Sequence, residues 1–532
     1  MLSTEEPTKG DTSNGAGPGH SAASQDSIDA EGSVERIDTV IIGSGFSGLA
    51  MAQRMKKAGL GDFIVLEKAA SVGGTWRENT YPGCACDVPS HVYSFSFALN
   101  PEWTSTFSHQ PEIKAYIERT ADEHGLTPHV RFGVELTSAE WDPGEQRWNL
   151  ETSTGPISAR VLIASSGPLH EPKLPDVRGI ETFEGEAFHS AKWDHSVDLK
   201  GKRVAVVGTG ASSIQFVPKI QPEVEQMYVF QRTAPWIVPR TDRPITSAER
   251  FLFRHVPGAQ RAMRTAVYWA REGFAIPMLR AKLSKITRRL ATKHIASQVS
   301  DPELRRKVTP DYAPGCKRIL ISNTYYPAIQ KPNGELVTDG IVEVRPHSVV
   351  TASGEELAVD TIIFGTGFHV TDLPIATKIR DGEGVSIAEH AGGSPQAFRG
   401  STFPGFPNLF LLLGPNTGLG HMSVVFMAEA QADYVTGALR RMRSEGIAAV
   451  EVRREAWAAY NEKIQRDLEG TVWNDGGCAS WYMDANGRNT TLWPDFAFRF
   501  RQGLREFDIG AYDCLPYRAA TPTAGGREAV AA

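Results

Sequence analysis

Short apolar runs dominate the chain from residue 37 to about residue 240. The runs 39–42, 63–66, 204–207 and 227–230 are each four residues long and contain mainly apolar, β-branched or aromatic side chains. Such runs are typical of strands that are buried on both faces of a parallel sheet. Helical patterns lie between them, and strands that alternate with helices predict a doubly wound α/β architecture.

The alternation stops at residues 245–309, which carry long helical patterns and no strand candidate. Apolar runs that lead into glycine return at 360–367 and 410–414, and a helix is expected from about Ser423 to Arg443. The pattern therefore predicts an α/β fold with a helical insertion.

The first glycine-rich turn spans residues 43–48 and joins an apolar run to a helical pattern. Its three glycines, Gly43, Gly45 and Gly48, permit a tight turn, close approach of a pyrophosphate and close packing of the helix on the strand. The next apolar run ends in Glu67. A carboxylate there can bind ribose hydroxyls and would repel a 2′-phosphate, so this turn is predicted to bind FAD or NAD.

A second turn begins with Gly208-Thr209-Gly210, and Ser213 stands where the third glycine is usual. The apolar run that follows ends before Arg232 and Thr233. A guanidinium grips phosphate oxygens in two places, so these residues suit a 2′-phosphate. The second turn is predicted to bind NADPH, which makes the fold two Rossmann-like dinucleotide-binding domains.

Domain bounds follow from these assignments and from the polar ends of the chain, which are rich in Gly, Ser, Thr, Asp and Glu. We expect disordered tails at 1–35 and 516–532, an FAD-binding domain of 36–168 and 371–515, an NADP-binding domain of 169–244 and 310–370, and the helical insertion 245–309.

Composition agrees with a globular protein: 41% of the 532 residues are hydrophobic and 22% are charged. The net charge of −6 gives no electrostatic argument for nucleic acid. Apolar runs of about 18 residues, the length that spans a membrane, are absent from the sequence, and the N-terminus lacks the apolar core of a signal peptide.

The five cysteines are an odd number in a long chain and do not suggest a disulfide framework. We expect all five to be packing residues in a reducing compartment, which favours a cytoplasmic location. Cys84 and Cys86 lack a second ligand pair at zinc spacing, so no metal is predicted.

The helical insertion is rich in bases: Arg254, Arg261, Arg264, Arg271, Arg280, Lys282, Lys285, Arg288, Arg289 and Lys293. A basic amphipathic segment can dock on a membrane surface. The favoured interpretation is a solvated insertion beside the NADP site.

Two longer motifs carry a family resemblance. Residues 183–194 resemble the fingerprint of the type I Baeyer–Villiger monooxygenases, with Phe183, Gly185, His189, Trp193 and Asp194. Residues 73–87 match that family's second long motif at Gly73, Gly74, Trp76, Tyr81, Pro82, Gly83 and Asp87. Further shared segments extend the resemblance over roughly residues 37–500.

The resemblance implies an NADPH-dependent flavin monooxygenase. In this family NADPH reduces bound FAD, O2 adds to form a C4a-peroxyflavin, and this nucleophile attacks a ketone to give an ester or lactone. Such a site must exclude water and stabilise negative charge. The expected cofactors are FAD and NADPH, and the expected substrates are O2 and a small-molecule ketone.

Three other functions compete with this interpretation. The flavin monooxygenases that oxidise sulfur or nitrogen have a similar linker motif, but it lacks the Trp-Asp ending that this chain has at Trp193 and Asp194. A disulfide reductase would require a CxxxxC pair after the first turn, which the sequence lacks. A silent NADPH-binding sensor would not need Arg318 and Asp87.

Arg318 matches the family's active-site arginine, and an arginine cannot act as an acid at neutral pH. Asp87 matches the motif aspartate that would orient it. The competing interpretations are a surface ion pair for Arg318 and a turn-forming role for Asp87.

The resemblance assigns further residues to the cofactors. Lys317 resembles a second 2′-phosphate contact, with simple solvation as the alternative. Trp481 resembles a C-terminal active-site tryptophan, although the segment 487–494 departs from the family pattern and a core aromatic is the alternative. His189 and Trp193 are expected on the linker, without acid–base chemistry. The remaining cofactor-binding assignments are Phe46, Gly74, Thr75, Trp76, Asp87, Tyr93 and Asn416.

Overall fold

A computed structural model of the chain describes residues 34–517. The expected disordered tails lie outside the described residues except at their inner ends. Glu35 is the first residue of the first strand, and Pro516 is the last residue of the last strand. The expected tails 1–35 and 516–532 therefore each include one residue that belongs to a strand.

The structure has these strands within residues 34–517: β1 Glu35–Ile42, β2 Phe63–Glu67, β3 Val130–Phe132, β4 Leu136–Asp142, β5 Arg147–Thr152, β6 Ile157–Ala164, β7 Glu186–His189, β8 Arg203–Val207, β9 Gln226–Phe230, β10 Ile237–Val238, β11 Leu320–Ile321, β12 Gly334–Val337, β13 Ile341–Arg345, β14 Ser348–Thr351, β15 Glu356–Ala358, β16 Thr361–Phe364, β17 Ile379–Arg380, β18 Leu409–Leu411, β19 Ile447–Val452 and β20 Tyr512–Pro516.

The α-helices in the same part of the chain are α1 Phe46–Lys57, α2 Thr75–Glu78, α3 Gln110–Glu123, α4 Ser213–Ile220, α5 Ser247–His255, α6 Ala259–Gly273, α7 Ile276–Leu279, α8 Ser284–Gln298, α9 Pro302–Val308, α10 Tyr325–Ile329, α11 Ile375–Lys378, α12 Ile387–Ala391, α13 Val424–Glu445, α14 Arg454–Leu468, α15 Val472–Asp475 and α16 Ala497–Gly503.

The first sheet has the strand order β17-β4-β5-β6-β1-β2-β3, and β18 also pairs with β6. β1 runs parallel to β2 and β6, with Ile41 opposite Val65 and Ile163. Ile41 faces a core that includes α1 and α13, while Val40 and Ile42 face a second core around Trp148. Burial on both faces explains why β1 is an uninterrupted apolar run.

The second sheet has the order β12-β9-β8-β16-β7 and all of its pairs are parallel. Both glycine turns follow a central strand of their sheet, β1 in the first and β8 in the second. Ligands bind at such positions in open parallel sheets. The expected fold class, two Rossmann-like units with a helical insertion, is confirmed.

The insertion consists of α5 to α9, and a capping box of Thr246 and Glu249 starts α5. Some of its bases are not solvated as expected. Arg264 is part-buried and donates to the His91 and Ser94 carbonyl oxygens at 2.7 and 3.1 Å, and Arg271 also points inward. The Arg264 contacts fix α6 against the segment that carries His91 and Ser94.

Candidate active site

The first glycine turn connects the carboxyl end of β1 to α1. A Cβ atom on Gly48 would lie 1.9 Å from the Gly43 carbonyl oxygen, so no larger residue fits there. α1 begins at Phe46 without a side-chain cap. Its first N–H groups and the positive end of its dipole therefore remain for an anion such as a pyrophosphate.

The second turn shows why serine is tolerated at position 213. Ser213 is fully buried, and its hydroxyl packs where a Cβ atom on Gly365 would lie, at 2.1 Å. A Cβ atom on Gly208 would lie 2.6 Å from the Gly365 carbonyl oxygen. The close approach that usually needs a third glycine in the turn is thus provided by Gly365, at the end of the neighbouring strand β16.

Glu67 lies at the end of β2, as predicted, and is 4% exposed. Its Oε2 accepts hydrogen bonds from the Ser44 backbone N–H at 3.0 Å and from the Ser44 hydroxyl at 2.7 Å. Arg77 forms an ion pair with Oε1 at 3.0 Å. These contacts fix the carboxylate beside the first turn, where a ribose could reach it.

One cavity of about 360 Å³ runs along the first turn. It brings together most of the predicted FAD-side residues with the active-site arginine and the C-terminal aromatics: Gly43, Gly45, Phe46, Glu67, Gly74, Thr75, Trp76, Tyr93, Arg318, Trp481 and Tyr482. The set fits a flavin dinucleotide, because an uncapped helix end, a carboxylate and aromatic walls lie along a single cavity.

Aromatic side chains build one wall of the cavity. The Trp76 indole N–H donates to the Tyr93 hydroxyl at 2.9 Å, and Phe46 contacts Tyr93 with ring centroids 5.2 Å apart. Burial raises the pKa of Tyr93 well above its usual value. Tyr93 therefore stays neutral at physiological pH and contributes no charge to the wall.

Arg318 and Asp87 form a bidentate ion pair at this cavity. Arg318 Nε donates to Asp87 Oδ2 at 2.6 Å, and Nη2 donates to Oδ1 at 2.7 Å. Burial alone would raise the pKa of Asp87, but the charge and hydrogen bonds of Arg318 outweigh it and hold that pKa below its usual value. Asp87 in turn raises the pKa of Arg318, so both side chains are charged.

Arg271 brings a second guanidinium from α6 to the neighbourhood of this pair. Its Nε donates to the His421 carbonyl oxygen at 2.9 Å. Burial lowers the pKa of Arg271, and the nearby charges of Asp87 and Arg318 act on it in opposite directions. Arg271 was predicted to be one of the solvated bases. The sequence of an amphipathic helix does not show whether a particular basic side chain points to solvent or into the protein.

Lys317 lies next to Arg318 and its Nζ is 5.4 Å from the centre of the Tyr312 ring. Burial lowers the pKa of Lys317, and the nearby positive charge of Arg232 lowers it further. The two predicted 2′-phosphate contacts are thus close enough to repel each other. An anion between them would relieve that repulsion.

The fingerprint forms an edge strand of the second sheet. Its residues Glu186–His189 are β7, which pairs with β16. A Cβ atom on Gly185 would lie 2.4 Å from the Asp360 carbonyl oxygen, which explains the glycine. Trp193 packs between Phe188 and Phe216, each with a centroid distance of 5.2 Å.

His189 is 4% exposed and its Nδ1 accepts a hydrogen bond from the Ala191 N–H at 3.0 Å. Burial lowers the pKa of His189 to about 4, so the ring is neutral with its proton on Nε2. Asp194 accepts bonds from the Ser196 N–H and hydroxyl at 2.8 and 2.6 Å. Both residues support the local chain path, and neither lines the cavity.

The second motif contacts the second nucleotide-binding unit through Gln215 on α4. Gln215 Oε1 accepts from the Tyr81 hydroxyl at 3.0 Å and from the Ala85 N–H at 3.1 Å, and its Nε2 donates to the Ala85 carbonyl oxygen at 3.0 Å. A Cβ atom on Gly83 would lie 2.9 Å from the Gln215 carbonyl oxygen. The motif glycine therefore allows the two units to pack closely.

Known proteins resemble this chain over most of its length. A model of the pyridine nucleotide-disulphide oxidoreductase family matches residues 40–247. A Baeyer-Villiger monooxygenase of Streptomyces coelicolor is 47% identical over 500 residues, which cover 93% of this chain and 96% of the relative. One of Pseudomonas aeruginosa is 49% identical over 476 residues, covering 89% and 90%. The chain belongs to the Baeyer–Villiger monooxygenases.

The fold agrees with that of a solved structure. The crystal structure of OTEMO in complex with FAD and NADP has a TM-score of 0.82, with 26% identity, and the match covers 91% of this chain and all of that one. The family resemblance read from residues 73–87 and 183–194 is confirmed. The role of each site residue in this Baeyer–Villiger monooxygenase stays a prediction.

The expectation for the cysteines is wrong for three of the five. Cys316 and Cys478 form a disulfide, although 162 residues separate them, and Cys514 is exposed rather than packed. Cys84 and Cys86 are free and buried, as expected. A pairing made by the tertiary fold leaves no spacing signal in the sequence, and the argument for a reducing compartment loses its basis.

Asn416 and Trp481 occupy different surroundings. The Asn416 amide donates to the Asn489 and Leu492 carbonyl oxygens at 2.8 and 3.0 Å, so its side chain fixes the divergent 487–494 segment and does not line the cavity. Trp481 lines the cavity and is 47% exposed, which contradicts a core aromatic. The sequence missed Tyr482, a buried cavity residue beside it.

Within residues 34–517, no three His, Cys, Asp or Glu side chains come together in a way that could hold a metal ion. Over the same residues, no helix combines the length and apolar character needed to cross a bilayer.

Proposed function

We propose that this chain is an FAD-dependent, NADPH-driven Baeyer–Villiger monooxygenase that inserts one oxygen atom of O2 beside a ketone carbonyl and releases an ester or lactone. The observation that carries the proposal is the Arg318–Asp87 pair, whose guanidinium lines the same cavity as the first glycine turn. A permanent positive charge thus lies within the cavity that fits the flavin.

FAD would be held by the first unit and supplies the oxygen-transfer chemistry when it is bound. Gly43, Gly45 and the start of α1 would receive its pyrophosphate. Glu67 would accept hydrogen bonds from its ribose. Trp76 and Tyr93 provide neutral, mutually hydrogen-bonded walls.

Arg318 would stabilise the negative charge that develops on oxygen during the reaction. Its Nε and Nη2 donate to Asp87, and Nη1 makes no hydrogen bond with any residue in the described range 34–517. Asp87 therefore orients the guanidinium and leaves one nitrogen for the reacting oxygen. Because arginine keeps its protons, Arg318 stabilises an anion without quenching it by proton transfer.

NADPH would bind to the second unit. The N-terminal end of α4 follows the Gly208 turn, and Arg232 with Lys317 would bind the 2′-phosphate. The Gln215 contacts with Tyr81 and Ala85 connect this unit to the second motif. These contacts would hold the NADPH-binding unit in a fixed orientation toward the flavin cavity.

The ketone would enter the cavity beside Trp481 and Tyr482. Burial raises the pKa of Tyr482 to about 12, although the charge of Arg318 opposes this. Tyr482 is 1% exposed, so it forms a neutral, dry wall beside the guanidinium. Exclusion of water there favours oxygen transfer over release of hydrogen peroxide.

The experiment compares the purified wild type with Arg318→Ala and Arg131→Ala. Arg131 forms a similar bidentate pair with Glu35 at 2.5 and 2.6 Å, but on the exposed surface. Each protein is first reduced by NADPH without oxygen. Oxygen and a panel of linear, cyclic and aryl ketones, sulfides and amines are then added, and products are identified by mass spectrometry.

We expect esters from wild type and Arg131→Ala, and a loss of about 10²- to 10³-fold in ester formation for Arg318→Ala, the size of removing a charge-stabilising donor. NADPH should still bleach the flavin in all three. Normal ester yield from Arg318→Ala would contradict the assigned role. Products from sulfides or amines alone would identify a heteroatom monooxygenase instead.

We also propose a cytoplasmic location. The proposal rests on the requirement for NADPH, since the cysteines no longer support it. Detection of the protein in a fractionated lysate of its own cells would test this.

A further inference from the structure

The outward side of the helical insertion carries an unusual concentration of positive charge, which we call the basic face. No Asp or Glu occurs between Glu272 and Asp301. Five exposed bases in this interval form no ion pair with any other described residue: Arg280, Lys282, Lys285, Arg289 and Lys293. The face is therefore strongly basic, although the whole chain has a net charge of −6.

Apolar side chains stand among these bases. Leu283, Ile286 and Leu290 are 36%, 68% and 47% exposed. Leu283 directly precedes α8, and the spacing of three and four residues places the three side chains on one side of this helix. Phe274, which precedes α7, and Ile276, the first residue of α7, add two more side chains that are 51% and 46% exposed. Exposed apolar residues in such a stripe indicate an interaction surface.

The opposite side of α8 is already occupied. Ala291, His294 and Ile295 are buried, and the His294 ring hydrogen-bonds the Ser322 carbonyl oxygen at 2.8 Å. The apolar stripe therefore has no place in the core of this chain. The helix is fixed by its inner side and presents its outer side without a partner among the described residues.

We propose that the basic face binds the surface of an anionic phospholipid bilayer. The charge of the bases complements acidic headgroups, each base contributing about fivefold in affinity near such a surface. The apolar stripe between them is suited to the headgroup and acyl boundary, as in interfacial amphipathic helices. A nucleic acid would match the charge but leave the stripe exposed to water. This proposal is independent of the oxygenation chemistry.

The test uses the full-length, FAD-loaded protein and vesicles that are pelleted by centrifugation. One set of vesicles contains phosphatidylcholine alone and the other contains phosphatidylcholine with phosphatidylglycerol. We expect the protein to pellet with the anionic vesicles only. Binding should weaken in 0.5 M salt, because salt screens the attraction between exposed charges.

Two variants test the two parts of the face. Lys285→Glu/Arg289→Glu removes two of its bases and should weaken binding by roughly 25-fold or more, since each base contributes about fivefold. Ile286→Gln/Leu290→Gln keeps the charge and should also weaken binding. The matched control is Lys200→Glu/Lys202→Glu, which makes the same charge change at two exposed lysines elsewhere and should bind as wild type does.

Flavin absorbance and thermal unfolding check that each variant is folded. Equal binding to both kinds of vesicle, or an equal loss in the basic-face variant and the control, would overturn the proposal. Self-association without vesicles that Ile286→Gln/Leu290→Gln abolishes would also overturn it. In that case the stripe is an interface between two copies of the chain.

Discussion

Cys316 and Cys478 are joined by a disulfide that connects the segment of the active-site arginine to the C-terminal cavity segment. Arg318 follows Cys316 by two positions, and Trp481 follows Cys478 by three. Both Arg318 and Trp481 line the cavity. The disulfide therefore sets how these two walls lie relative to each other.

Replacing both cysteines, as in Cys316→Ser/Cys478→Ser, should destabilise the protein and loosen the cavity. A crosslink across a loop of this length contributes at most about 5 kcal/mol in the chain-entropy account. We expect a lower midpoint of thermal unfolding and more NADPH oxidation without ester. Cys514→Ser changes the exposed free cysteine and should change neither. Without reductant, the denatured wild type should show three reactive thiols, matching the three free cysteines; five would contradict the disulfide.

Asp87→Asn should separate the orientation of Arg318 from its charge. The amide cannot form the bidentate ion pair, so the guanidinium loses its fixed direction while the cavity keeps its positive charge. We expect NADPH to reduce the flavin normally and ester formation to fall by roughly 10- to 100-fold, the size of a lost hydrogen bond to a charged group. Single-turnover reduction and product yield measure the two steps.

The control for Asp87→Asn is Glu35→Gln, which breaks the exposed Glu35–Arg131 pair. Exposed pairs contribute little to stability, so this variant should behave as wild type. An unchanged ester rate in Asp87→Asn would show that Arg318 needs no orienting partner.

The nucleotide turns could be predicted from the sequence because their chemistry is local. Gly43, Gly45 and Gly48 lie within six positions, and the carbonyl oxygen that excludes a larger residue at Gly48 belongs to Gly43 of the same turn. Glu67 is likewise fixed by its place at the end of a strand. The fold class follows from the same local signals, repeated in two units.

Contacts between distant segments could not be predicted. Arg271 and Gln215 lie on helices whose periodicity shows only which side is apolar, and their partners His421 and Ala85 are 150 and 130 residues away. Asn416 also carried a family signal for cofactor binding, but its amide holds the 487–494 segment. The direction in which such a side chain points, and the partner that it contacts, depend on tertiary packing, which cannot be read from a single sequence.

Lys317→Met should change the preference between NADPH and NADH. Methionine keeps a similar length but removes the positive charge that lies near Arg232 and over the Tyr312 ring. Loss of one charge-assisted hydrogen bond should raise KM for NADPH by roughly 10- to 100-fold, with kcat nearly unchanged. KM for NADH should not change, since NADH lacks the 2′-phosphate. Lys202→Met is the surface control, and equal effects on both cofactors would remove Lys317 from the phosphate site.

Gln215→Ala should uncouple the two nucleotide-binding units. It removes three hydrogen bonds to Tyr81 and Ala85 and leaves the Ala85 N–H without its partner, which should cost about 2 kcal/mol of stability. We expect a lower ratio of ester formed to NADPH consumed. Gln221→Ala removes a bond to Asn333 within the second unit. If both variants lower the ratio equally, the effect is general instability and not a lost connection.

His189 should make the protein less stable in mild acid. Its folded pKa of about 4 lies below the usual 6.5. Between these two pH values the histidine is protonated in the unfolded chain but neutral in the folded protein. The stability that the neutral ring contributes is therefore complete above pH 6.5 and is lost as pH falls from 6.5 toward 4, by about 3 kcal/mol in total. His189→Asn keeps an acceptor for the Ala191 N–H but does not titrate. Denaturant unfolding at several pH values should show a smaller loss of unfolding free energy in acid for this variant. The control His347→Asn changes an exposed histidine and should lose as much stability as wild type does. If the stability of His189→Asn falls with pH in parallel with that of wild type, the buried His189 ring is not the group responsible.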